Sequence, residues 1–258
     1  MSAWSRLGPA VAVTFALLAG AASAHAQAIV QRPVTVVELF TSQGCNSCPP
    51  AEKFLLDLVA RQDRDNLIVL GYHVDYWDYL GWADTFATPQ STQRLRGYMR
   101  SLRTQSVYTP QMVVGGRFEL VGVDRPAVEA AIEQARATLP GDGANVWFDY
   151  AENGAPVLRV EAPKSPDFKV DADIFLVLFA DTKNVPIARG ENAGKTIGYA
   201  NIVQTMIHLT KWDGRPATFA LPTGQLSPGA SFCAAIIQQA NQGPILGAVR
   251  ARITDGRW

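Results

Sequence analysis

Two cysteines, Cys45 and Cys48, stand between an apolar stretch and an amphipathic one, and no other feature constrains the chain as much. Val34–Phe40 (VTVVELF) is short, β-branched and apolar, the composition of a buried strand. Thr41-Ser42-Gln43-Gly44 follows as a polar loop with a glycine break. Pro49 and Pro50 suit a first helical turn, where no intrahelical N–H bond is lost. Phe54, Leu55, Leu58 and Val59 then recur at helical spacing, and Leu67–Tyr72 is a second apolar strand. Strand, helix and strand in this order predict a βαβ unit with parallel strands and a right-handed crossover.

A Cys-x-x-Cys pair is either a zinc half-site or a redox couple. Structural zinc needs two further ligands at suitable spacing, and the chain has no second Cys-x-x-Cys. The redox reading places Cys45 just before the helix and Cys48 in its first turn, where the helix dipole and exposed N–H groups favour a thiolate. Cys45 is then the attacking nucleophile and Cys48 the resolving thiol. A static disulfide stapling a turn is the plain alternative, weakened because so short a loop restricts the unfolded chain little. Glu38 lies among Val36, Val37, Leu39 and Phe40. A carboxylate in a buried strand is protonated or paired, so Glu38 either relays protons to a thiol or pairs with a Lys or Arg.

His73–Tyr79 (HVDYWDY) follows the second strand, at the strand end where ligands gather in open α/β sheets. Tyr76 and Trp77 offer flat area to orient a peptide; as structural residues they would fill the core. Cys45, Cys48 and His73 together would make a soft site suited to copper(I), a metal-binding or metal-delivery alternative to redox chemistry. Cys233 sits in the apolar Ser231–Gln239 and reads as an inert core residue.

The N-terminus carries Arg6, the apolar Val11–Gly20 and Ala24-His25-Ala26, the pattern of a secretory signal peptide over residues 1–26. Its removal takes away Arg6 and no acid, so the remainder is nearly neutral and nothing steers it to nucleic acid. No later segment has the apolar length of a transmembrane helix. A periplasmic or secreted location is expected, where cysteines are seldom idle.

Ser91–Leu102 looks helical but polar, Met112–Val114 and Arg117–Val121 read as a hairpin, and Asp124 caps a helix running to about Leu139. Pro140-Gly141-Asp142-Gly143 is a breaker cluster and marks a domain boundary at 141/142. Beyond it, Val146–Tyr150, Val157–Glu161, Asp173–Ala180, Ile197–Thr210, Ala217–Leu221, Phe232–Gln239 and Ile245–Ile253 read as strands of a β-sandwich-like domain, with Ile202–Leu209 also compatible with a helix. Arg189–Lys195 is a polar glycine-rich loop without phosphate-loop spacing, and His208 reads as a core residue.

Val37–Phe40, Cys45-Asn46-Ser47-Cys48 and Val107-Tyr108-Thr109-Pro110 resemble the thioredoxin superfamily. The resemblance implies a cis Thr109–Pro110 bond facing the cysteines, with Thr109 and Pro110 shaping a substrate groove, and Glu38 matches a carboxylate found in that family's strand. Glu38–Pro50 (ELFTSQGCNSCPP), Tyr72–Trp82, Tyr108–Gly115 and Gly190–Gly194 (GENAG) resemble, more narrowly, the domain of unknown function 1223 family of exported bacterial proteins. That resemblance implies an α/β thioredoxin-like domain over residues 27–141, followed by a mainly-β sandwich-like domain over 142–258. The expected activity is that of a thiol–disulfide oxidoreductase needing no cofactor beyond its own disulfide. Its partners would be protein thiols or disulfides and a redox partner that the sequence does not name.

Overall fold

The computed structural model describes residues 34–139, 143–161, 169–222 and 227–253, together with Met1. The chain divides into residues 1–30 and 31–258, and everything below concerns the second unit. The expected signal peptide, apart from Met1, lies outside the described residues, as do residues 140–142 at the expected domain boundary. No described helix is long and apolar enough to cross a membrane.

The first half runs β1 (Thr35–Thr41), α1 (Pro49–Arg61), β2 (Leu67–His73), a short 3₁₀ turn (Asp78–Leu80), α2 (Pro89–Ser101), β3 (Gln111–Val114), β4 (Phe118–Val121) and α3 (Arg125–Ala137). Among the described residues, the elements of the second half are all strands: β5 (Asn145–Tyr150), β6 (Pro156–Glu161), β7 (Ala172–Ala180), β8 (Lys183–Pro186), β9 (Thr196–Tyr199), β10 (Ile202–Trp212), β11 (Ala217–Ala220), β12 (Phe232–Gln239) and β13 (Ile245–Arg252). The fold is mostly β, built on one mixed sheet of eight strands in the order β13-β12-β7-β10-β2-β1-β3-β4. β1 and β2 pair in parallel, as the βαβ reading expects.

β1 is buried along its whole length, and its alternation sends side chains to two different cores. Val37 and Leu39 meet Ala51, Phe54, Leu55 and Leu58 of α1 and Val128 and Ile132 of α3. Val36 and Phe40 meet Tyr72 together with Leu95 and Tyr98 of α2. Burying each large apolar side chain of α1 stabilises the fold by roughly 2 kcal/mol, which holds the helix to the sheet.

The sheet continues across the boundary expected at 141/142. β10 lies beside β2, and β7, β12 and β13 extend the sheet beyond it instead of closing one of their own. The physical reason is the edge of β2, whose unpaired groups need a partner. Gly71 N–H donates to Asn201 O at 3.0 Å, and Asn201 Nδ2 donates to Val69 O at 2.7 Å. Asn201 has φ of 48°, and this turn divides the single strand expected over Ile197–Thr210 into β9 and β10. A sandwich-like packing does occur, since Val146, Leu158 and Val160 of the small β11-β6-β5 sheet share a core with Leu176, Cys233 and Ile237 of the large one. β8, absent from the sequence reading, pairs with β9 as a two-stranded ribbon.

Candidate functional site

The cysteine loop leaves β1 at Thr41 and enters α1 at Pro49. Cys45 and Cys48 form a disulfide with Cα atoms 5.4 Å apart, and Cys48 is the N-cap residue of α1. Both cysteines are buried, while Asn46 and Ser47 between them are exposed. Pro49 and Pro50 carry no N–H. The next two amides, of Ala51 and Glu52, both donate to Cys48 O, at 2.9 and 3.1 Å. The free amides expected from the sequence are therefore spent or missing, and the helix dipole is what the first turn offers a thiolate.

The Thr109–Pro110 bond is cis. Trp77 joins this loop to the cysteine loop: its Nε1–H donates to Thr109 Oγ1 at 2.8 Å, and its Cβ would lie 3.3 Å from a Cβ built on Gly44. Gly122 closes the other side. A Cβ there would stand 3.1 to 3.3 Å from Leu39, Pro110 and Ala51 at once, so a side chain would press all three apart by a few tenths of an ångström. Tyr76 is half-buried and turned toward the Phe40–Tyr98 core, its ring 6.3 Å from that of Trp77. The structure thus brings Trp77, Thr109 and Pro110 to the cysteine loop, with Tyr76 beside Trp77 and Thr109.

Glu38 is not brought to the cysteines. It points to the α2 face, opposite α1. Arg94 Nε donates to Glu38 Oε1 at 2.6 Å and Arg94 Nη2 to Oε2 at 3.0 Å, while Tyr98 OH donates to Oε2. Gln238 of β12 bonds Arg94 and Tyr98 in turn. Burial opposes the charge of Arg94, yet Glu38 raises its pKa above the ordinary arginine value. The polar look of α2 in the sequence is explained by this pairing, which is the structural alternative of the sequence reading.

A different carboxylate lies on the α1 side, one helical turn after Cys48. Glu52, in the first turn of α1, is buried, and its Oε1 has no hydrogen-bond partner; nor have Thr41 Oγ1 and Tyr199 OH. Burial pushes Glu52 up from 4.5 to about 7, with the His73 charge opposing. His73 Nδ1 sits 2.7 Å from Asp84 Oδ2, and both groups are buried. Burial works against the charge of His73, but Asp84 and then Glu52 raise its pKa overall. Burial likewise works against Asp84, but His73 and the amides of Gln43 and Phe86 hold it below the usual carboxylate range. The ring of His73 also packs edge-on against Phe86 and Tyr199. Among the described residues, no three His, Cys, Asp or Glu side chains gather to hold a metal ion.

Two remote segments clamp the cysteine loop. Gln43 N–H donates to Asp84 Oδ2 at 2.7 Å, and Gln43 Oε1 accepts from Trp82 Nε1 at 2.8 Å. Asn192, in the glycine-rich loop between β8 and β9, is fully buried. Its Nδ2 donates to Gln43 O and Cys45 O, each at 2.9 Å, and Lys195 Nζ donates to its Oδ1 at 2.8 Å. Sequence reasoning passed over Gln43, Asp84 and Asn192, whose contacts are long-range. Glu52 had a signal: it lies one helical turn before Leu55, beside the apolar stripe. Cys233 is buried in the sandwich core, where burial pushes its thiol up to about 12.

Fold and site together define a mostly-β protein in which a strand–loop–Cys-x-x-Cys–helix unit carries a buried disulfide beside a cis-proline loop. The chain belongs to the family described as "Protein of unknown function (DUF1223)", whose profile matches residues 36–238. The crystal structure of protein AGR_C_4864 from Agrobacterium tumefaciens is similar at 30% identity and a TM-score of 0.70, covering 87% of this chain and 97% of that one. HBP35 of Porphyromonas gingivalis matches at 14% identity and a TM-score of 0.56, covering 85% of this chain and 75% of that one, a likeness of fold alone. No curated protein matches the chain.

Proposed function

We propose that the protein is an exported thiol–disulfide oxidoreductase with a thioredoxin-like site, acting on protein thiols or disulfides. The observation that carries this reading is the Cys45–Cys48 disulfide at the start of α1, with Trp77 tying its loop to the cis Thr109–Pro110 loop. A disulfide spanning so few residues stabilises little by restricting the unfolded chain, so stapling is a weak reason for it.

In the reducing direction, the Cys45 thiolate attacks a partner disulfide and one partner sulfur leaves as a thiolate. The Cys48 thiolate then attacks Cys45 Sγ, the bond from Cys45 to the partner breaks, and the second partner sulfur leaves. The partner disulfide becomes two thiols and the cysteine pair becomes a disulfide; the reverse sequence oxidises a dithiol. A separate redox partner restores the starting state. Thr109, Pro110 and Trp77 form the surface against which a peptide is laid, and the signal peptide at residues 1–26 directs export.

The test is equilibration of the Cys45–Cys48 couple with graded glutathione buffers, followed by acid trapping and mass analysis. The expected result is a two-electron equilibrium that moves across the glutathione range. A pair that stays oxidised throughout that range is a static staple and refutes the reading.

A further inference from the structure

We infer that Glu52 carries the proton of Cys48 during disulfide exchange, and that the His73–Asp84 pair sets when it does so. The inference rests on the exchange reading and deepens it. Glu38, the carboxylate the sequence points to, has both oxygens held by Arg94 and Tyr98 on the other face of the sheet. Glu52 has a buried, unpartnered Oε1 and begins one helical turn after Cys48, its amide bonded to Cys48 O.

The groups facing Glu52 come from the elements packed around it: Thr41 from β1, His73 from β2, Asp84 from the segment before α2, and Tyr199 from β9, while Cys48 precedes it by one helical turn on α1 itself. Thr41 and Tyr199 are neutral hydroxyls, while His73 and Asp84 form an ion pair. Glu52 is therefore the carboxylate in this cluster with no counter-charge bonded to it. Asp84 Oδ2 also accepts Gln43 N–H from the cysteine loop, which ties the loop to the His73–Asp84 pair.

In the mixed disulfide, the Cys48 thiol gives its proton to the Glu52 carboxylate. Cys48 S⁻ attacks Cys45 Sγ, the Cys45–partner bond breaks, and the partner thiolate leaves and takes up a proton from the carboxyl or from water. One disulfide forms, one breaks, and no outside oxidant enters.

The experiment follows the resolving step in single turnover with a disulfide-bonded peptide, across pH, in the wild type, Glu52→Gln, Glu38→Gln and His73→Gln. Glu52→Gln is expected to slow this step about 100-fold near neutral pH and to remove the inflection near 7 expected from burial of the acid. Glu38→Gln keeps the wild-type profile. His73→Gln moves the inflection upward, because the His73 charge lowers Glu52. A Glu52→Gln profile identical to wild type overturns the inference. A second measurement needs no exchange partner: reduced-minus-oxidised infrared spectra with a chemical reductant. A protonated-carboxyl band that changes on reduction, survives Glu38→Gln and shifts in Glu52→Asp is expected. Its absence overturns the proton-carrier assignment on its own, whereas failure of the wild type to form any mixed disulfide overturns the exchange reading instead.

Discussion

Glu38 and Glu52 are both fully buried, and both lie next to the cysteine loop in sequence, but they face opposite sides of the sheet. On the α2 side, Glu38 meets Arg94, Tyr98 and, through them, Gln238. Every charge there has a counter-charge and hydrogen bonds, and the network joins the two halves of the chain. On the α1 side, His73 and Asp84 satisfy one another, and Glu52 is left over with a bare oxygen. The difference teaches that burial alone does not give a carboxylate a chemical role. A paired one is held by its partners; burial drives an unpaired one toward its neutral form.

The contrast breaks most visibly at Arg94. Arg94→Met leaves Glu38 buried without its bonded partner, and should cost about 3–5 kcal/mol in urea unfolding, with the cysteine couple's equilibrium unchanged in whatever folds. Glu52→Gln should act in the opposite sense. The fold raises Glu52 from 4.5 to about 7, so between those values the native state keeps a proton that the unfolded chain has lost. The stability from this group is complete below about 4.5 and is lost as pH rises to about 7. Glu52→Gln should therefore gain on the wild type by up to about 3 kcal/mol between those limits, read from paired unfolding curves.

Smaller effects sharpen the picture of the loop that lies above Glu52. Gly122→Ala places a Cβ among Leu39, Pro110 and Ala51 and should cost about 1–3 kcal/mol, while prising the Pro110 loop from α1 and slowing exchange with a peptide disulfide. Asn192→Ala frees the carbonyls of Gln43 and Cys45 and should cost about 1–2 kcal/mol, with faster amide hydrogen exchange at Cys45. Smallest of all, Cys233 should resist alkylation in the folded protein at about pH 8, given a thiol pushed up to about 12.

The parts of the site made by neighbours along the chain were legible in the sequence. The apolar run before the cysteines, the two prolines after them and the helical stripe of Phe54, Leu55 and Leu58 each announce themselves locally. What remained hidden is made by distance. The partner of Glu38 comes from a helix whose sequence looks only polar, and Asn192 reaches the cysteine loop from a ribbon whose first strand, Lys183–Pro186, has no apolar pattern. The shared sheet was hidden for the same reason: an edge strand and a separate sandwich strand have the same alternation, and only the docking of Asn201 on β2 decides between them.

The most direct test of the account is to react the reduced protein, its Cys48→Ser variant and its Cys45→Ser variant with one disulfide-bonded peptide. The account predicts that the wild type releases two peptide thiols, that Cys48→Ser stalls as a mixed disulfide through Cys45, and that Cys45→Ser forms none. A mixed disulfide through Cys233, or no reaction in the wild type, would contradict it.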